Sequence, residues 1–114
     1  MNEADVLLAR LPQADGQIKN RPCLALRRMP GFGDWLVCGI STQLRHEVQG
    51  IDETLGPTDA DFASSGLKAP SLVRLGFLAV LPEDNFFGAI GSVDRARHGR
   101  LVERLAAHLT RDPG

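Results

Sequence analysis

Arginine dominates the chemistry this sequence can offer. Eleven of the thirteen basic residues are Arg, and only Lys19 and Lys68 are Lys. A guanidinium presents a planar fork matched to phosphate or carboxylate oxygens, where an ammonium is a point charge. The charges are unevenly placed. Residues 46–70 carry Glu47, Asp52, Glu53, Asp59 and Asp61 against Lys68, while residues 1–28 and the C-terminal segment are net basic. The net charge of −1 denies the chain the large positive field of a general nucleic-acid binder, yet a local phosphate site is allowed. Most of the arginines are expected to be solvated surface.

Other reactive residues form no generic motif. The sequence contains no GxxxxGK[ST], GxGxxG or GxSxG. No spacing of His, Cys, Asp and Glu suggests a metal site, and no cofactor is expected. His46 falls in a polar loop, and His98 and His108 fall in a helical segment. Cys23 and Cys38 each sit inside an apolar run without a CxxC neighbour. They read as buried free thiols, as suits a reducing compartment. The N-terminus has no basic region followed by an apolar core, so no signal peptide is expected. No apolar run is long enough to span a bilayer. The cytoplasm is the expected location.

The elements that would position these residues are mostly strands. With 114 residues, 43% of them hydrophobic, the chain is expected to fold as one domain over residues 1–114. Asp5–Leu11 reads as a first strand, followed by a turn at Asp15-Gly16. Pro22–Leu26 and Asp34–Ile40 read as two strands of a hairpin, joined by the Pro- and Gly-rich residues Met29–Gly33. A short strand is expected around Ile51–Leu55, and Asp59–Gly66 reads as an exposed loop anchored by Phe62. Ser71–Leu81 is strongly apolar, with Gly76 marking a bulge or bend. Phe86–Val93 reads as the last strand. Asp94 is a candidate N-cap for a helix of about four turns. Its stripe of Leu101, Val102, Leu105, Ala106 and Leu109 should pack on the sheet, with Arg97, Arg100, Arg104 and Arg111 on other faces. Asp112-Pro113-Gly114 reads as a stop. Mainly β with a C-terminal helix, the pattern suggests a closed or half-closed antiparallel barrel.

Four stretches resemble, in order and separation, the PemK/MazF family of toxins from type II toxin–antitoxin systems. They are Asp5–Gly16, Asn20-Arg21-Pro22-Cys23-Leu24-Ala25-Leu26, Val37-Cys38-Gly39-Ile40-Ser41-Thr42-Gln43, and Ser71-Leu72-Val73-Arg74. The final Gly88–Val93 and the helix fit as well, so the resemblance spans nearly the whole chain. It implies a small SH3-like barrel and a homodimer. It also implies metal-independent cleavage of single-stranded RNA by the RNA's own 2′-hydroxyl, leaving a 2′,3′-cyclic phosphate and a 5′-hydroxyl. A cognate antitoxin is the implied partner, with DNA binding by the joint complex.

On that resemblance Arg21 is the transition-state cation and a candidate proton donor, although arginine's high pKa makes it a poor acid. Ser41 and Thr42 would bind the phosphate or orient the 2′-hydroxyl. Gln43 would do the same or read a base edge, and Arg74 would be a second phosphate clamp. Asp15, Lys19 and His46 complete the expected RNA-binding set. Two positions depart from the family. Some members carry an acidic residue two positions after the counterpart of Arg74, acting in acid/base catalysis; here that position is Gly76. His46 or Asp15 is then the candidate base, unless the protein is a weak enzyme. The family's opening Gly-Asp is Ala4-Asp5, an exchange expected to matter little. Two other functions stay open: a non-catalytic barrel that pairs with an antitoxin-like peptide, and a CcdB-like gyrase poison. The C-terminal Thr110–Gly114 lacks the aromatic and small residues of the latter.

Overall fold

The computed structural model describes residues 1–12 and 15–113. Gln13 and Ala14 of the expected opening loop, and Gly114, lie outside the described residues. The strands are β1 (Asp5–Pro12), β2 (Ile18–Arg28), β3 (Trp35–Ser41), β4 (Glu53–Leu55), β5 (Ser71–Leu81) and β6 (Phe86–Ser92), followed by helix α1 (Arg95–Thr110). They form one antiparallel sheet in the order β4-β5-β3-β2-β1-β6. The sheet curls into a half-barrel, and register shifts in four places on three strand pairs supply the local bends.

Because side chains alternate along a strand, the curled sheet buries both faces. One face carries Val6, Leu24, Leu26, Cys38, Ile40, Val73 and Leu75, and is covered by Leu101 of α1. The other carries Leu7, Ala9, Cys23, Ala25, Trp35 and Val37. Cys23 and Cys38 thus belong to opposite cores. Burial pushes the Cys23 thiol up to about 12 and Cys38 higher still, so both are inert, as expected.

The edges β4 and β6 are bridged by residues 56–70. The Ser92 N–H donates to the Ser64 carbonyl at 2.8 Å, and Ser64 Oγ donates to the Ser92 carbonyl at 3.1 Å. The approach is so close that a Cβ on Gly91 would stand 2.3 Å from the Ser64 carbonyl oxygen. Phe62 packs on the first core, as expected. The segment as a whole is not the exposed loop its polarity suggests, since Asp61 and Ser65 are buried.

Asp94 caps α1 by accepting the Arg97 N–H at 2.8 Å. The helix differs from expectation in which face is inward. Leu101 is fully buried and Val102 and Leu105 half-buried, but Ala106 and Leu109 are exposed. Arg97 lies one helical turn before Leu101, on the same stripe, and is buried. Its Nε and Nη2 donate to the Asp61 carboxylate at 2.9 and 3.2 Å, and Nη1 donates to Glu53 Oε1 at 2.8 Å. Arg100 and Arg104 reach Glu53 Oε2 at 3.0 Å each. Burial alone would raise the Asp61 carboxyl, but the Arg97 hydrogen bonds, the Asp94 N–H and the Arg97 charge outweigh it and hold it below its ordinary value.

Ala4 also departs from expectation. It has φ of +73°, alone among the described non-glycine residues in that region. Its N–H donates to the Ala25 carbonyl at 2.9 Å, and its carbonyl accepts from Val93 at 2.9 Å, which fixes the conformation. A Cβ costs roughly 1–2 kcal/mol in left-handed backbone. The glycine that the family carries at this place therefore has a physical reason, and the exchange to alanine is not neutral.

Candidate active site

The second core ends in a cleft. Cys23 stands opposite Gly39, and Gly39 opposite Arg74, across neighbouring strands. Arg21 precedes Cys23 by two residues and so shares its face. The register therefore places Gly39 of β3 level with Arg74 of β5, with Arg21 of β2 on the same face two residues further along, on the Ser41 side. Together with Ser41, Thr42, Gln43, His46 and Phe77 they line a cleft of about 390 Å3.

Each side chain is held by local chemistry. Pro22 removes a backbone donor but lies just outside the ladder to β3, which begins at Cys23, and it still pairs with Leu8 of β1. Ser41 ends β3, and its Oγ accepts the Gln43 N–H at 3.0 Å, which turns the chain. That bond leaves the Ser41 proton free to donate. The Leu44–His46 turn follows, with the His46 N–H donating to the Gln43 carbonyl at 3.1 Å, and it brings His46 to the cleft wall. Arg45 Nη1 donates to Gln43 Oε1 and fixes that amide, a contact no sequence motif announces.

Arg21 is exposed and Arg74 half-buried. Neither guanidinium has an ion-pair or hydrogen-bond partner among the described residues. The lining contains no carboxylate among the described residues. Two permanent cations thus face an open cleft beside donor hydroxyls, which suits a phosphodiester. Among the described residues no group of three His, Cys, Asp or Glu side chains could hold a metal ion.

Six of the eight residues singled out from sequence meet here: Arg21, Ser41, Thr42, Gln43, His46 and Arg74. Lys19 and Asp15 do not line the cleft. Lys19 is exposed two residues beyond Arg21, opposite Leu11. Asp15 is exposed and accepts the Gln17 N–H at 3.0 Å, a turn role. Gly76 does not line the cleft either. It borders a second cavity of about 220 Å3 between β5 and α1, beside Asp52, Arg104 and His108. Sequence reading misses Phe77, because strict alternation would turn it away from Arg74.

The structure is thus a half-barrel of six antiparallel strands with a C-terminal helix, opening at an arginine-lined cleft. The chain belongs to the PemK-like, MazF-like toxins of type II toxin–antitoxin systems, whose family pattern it matches over residues 2–109. Among solved structures it is similar to the Mycobacterium tuberculosis toxin MazF-mt6, with 23% identity, a TM-score of 0.66 and coverage of 95% of this chain and 98% of that one. It is also similar to an endoribonuclease from a mycobacterial species in complex with its cognate antitoxin, with 18% identity, a TM-score of 0.71 and 99% of both chains covered. No curated protein matches. These likenesses establish the fold, mainly β with a C-terminal helix. No described helix is long and apolar enough to cross a membrane.

Proposed function

We propose that this toxin is a metal-independent endoribonuclease acting on single-stranded RNA at the Arg21 cleft. The observation that carries the reading is the pair of unpartnered guanidinia, Arg21 and Arg74, lining one cleft with Ser41 and Thr42, where the described residues place no carboxylate. In the reaction the RNA 2′-hydroxyl loses its proton and its oxygen bonds to the adjacent phosphorus. The bond from phosphorus to the 5′-oxygen breaks, and that oxygen takes up a proton. The products are a 2′,3′-cyclic phosphate and a 5′-hydroxyl. Arg21 offsets the charge that develops on the phosphoryl oxygens, Arg74 clamps the phosphate, and the Ser41 and Thr42 hydroxyls orient it. Arginine cannot give up its proton near neutrality, whereas an imidazole can accept one. His46 is therefore the lining group suited to take the 2′-hydroxyl proton, in preference to Asp15. Gln43 contacts a base edge or the phosphate.

The cognate antitoxin supplies an acidic segment whose carboxylates occupy the same guanidinia and so mimic RNA. The working form is a homodimer. Leu78 and Val80 share one exposed face of β5, apolar surface that a second subunit could cover.

The test is cleavage of single-stranded RNA in EDTA by wild type and by Arg21→Ala, with the product ends mapped. The expected result is cyclic-phosphate ends from wild type and a loss of about 100-fold or more in the variant. No cleavage by a folded, antitoxin-free dimer would instead favour a non-catalytic binding module. The observation behind that second reading is the absence of a carboxylate from the described cleft lining, with a glycine at position 76 and that residue outside the cleft.

A further inference from the structure

We propose that Phe77 is a stacking platform for a nucleobase flanking the phosphate held by Arg21 and Arg74, and hence a specificity-determining residue. The inference rests on the ribonuclease reading of the cleft and adds a base-binding subsite to it.

Three observations carry it. The first is the bulge in β5. Gly39 pairs with Arg74 and the adjacent Cys38 pairs with Leu78, so Leu75, Gly76 and Phe77 have no opposite residue on β3. In an unbroken strand, positions 74 and 77 would face opposite sides. An odd number of extra residues reverses the alternation, and Phe77 joins Arg74 on the cleft face. The second is what holds the bulge. The Leu75 N–H donates to the buried Asp52 Oδ1 at 3.0 Å, and Asp52 Oδ2 accepts the Val48 N–H at 2.9 Å. A carboxylate at a backbone donor is a strong anchor, so the bulge is a fixed feature. The third is the seat of the ring. A Cβ on Gly39 would stand 3.0 Å from Phe77 Cδ1 and 3.2 Å from Cγ. The ring thus lies against bare backbone.

The ring is half-buried and is the one phenyl group among the described lining residues, on the same strand as Arg74 and in the same cleft as Arg21. A cationic groove with an aromatic face is the arrangement that binds single strands, because every base has a π-face that can stack once it is unpaired. Phe77 also packs against the second core, so an alanine would confound folding with binding. Leucine keeps most of the volume and removes the ring.

The experiment uses a short single strand with deoxyribose at the scissile position, which cannot be cleaved. The fluorescent base 2-aminopurine is placed at each position in turn. Binding to the full-length protein is followed by anisotropy and stacking by quenching. Wild type is expected to quench the probe at one position. Phe77→Trp should retain the quench. Phe77→Leu should lose it and bind about 10-fold more weakly, with little change in melting temperature. Equal quenching by wild type and Phe77→Leu at every position would overturn the proposal. So would binding without quenching, and there the ribonuclease reading survives if the all-ribose strand is still cleaved. Neither binding nor cleavage by wild type would take down both readings.

Discussion

Two groups of arginines in this chain do opposite things. Arg97, Arg100 and Arg104 on α1 are occupied by Glu53, Asp59 and Asp61. Arg21 and Arg74 have no such partner among the described residues and face a cleft. The difference lies in what the fold brings to each guanidinium. Within the acidic run of residues 46–70, Glu53, Asp59 and Asp61 are engaged by α1, Asp52 accepts the Leu75 and Val48 N–H groups and Glu47 accepts the Thr54 hydroxyl, so none of the five lines the cleft. Charge segregation along the sequence thus serves both ends at once. It ties the bridging segment to the helix, and it leaves the cleft cationic in a chain whose net charge is −1.

The contrast is broken most severely at Arg97. Arg97→Ala leaves the Asp61 carboxylate buried without its main partner, and the expected cost is about 3–5 kcal/mol of stability by chemical denaturation. Arg21→Ala should do the reverse, leaving the denaturation midpoint within experimental error while cleavage falls by about 100-fold, or some 2.7 kcal/mol of barrier. Equal effects of the two variants on stability would dissolve the distinction between the groups.

Acid sharpens the comparison further. The folded state holds the Asp61 carboxyl below its ordinary value of 3.8. Its contribution is therefore complete above that value and is lost as pH falls through it toward the lowered one. Wild type should lose stability on acidification below about pH 4. Asp61→Asn should be less stable at neutral pH but should show a shallower loss over the same acid range, measured by thermal melts at a series of pH values. The smallest effect belongs to Arg100, which is half-exposed where it meets Glu53 at 3.0 Å. Arg100→Ala should cost less than about 1 kcal/mol, because solvent screens the pair. A larger cost in denaturant titration would mean that the Glu53 network acts as a single unit.

Much of the fold is legible in the order of the amino acids. The hairpin turn at Met29–Gly33, the bulge at Gly76, the Asp94 cap and the five long strands follow from local chemistry that each short segment carries by itself. Arg21, Ser41, Thr42, Gln43, His46 and Arg74 come together as the family resemblance suggests. Arg97 is misread from sequence because a charged residue on a helix reads as solvent-facing. The distant Asp61 and Glu53, 36 and 44 residues away, with Asp59 at 3.6 Å, offset the cost of burying it. Ala4 looks neutral in sequence, yet its left-handed backbone is held both by the Asn2–Asp5 turn, closed by the Asp5 N–H to the Asn2 carbonyl, and by long-range hydrogen bonds to Ala25 and Val93.

The amino-acid order by itself determined where strands, turns and the helix fall, because periodicity, proline, glycine and capping act over a few residues. Which side chains meet was decided by the tertiary structure. Strand register sets Arg74 level with Gly39 and Arg21 on the same face of the neighbouring β2, and a bulge of odd length turns Phe77 toward that face. The placement of Glu53 on β4, and of Asp59 and Asp61 in the segment after it, against α1 settles which arginines are paired. Pairing of this kind depends on contacts between residues far apart in the chain, and no short window of sequence contains both partners.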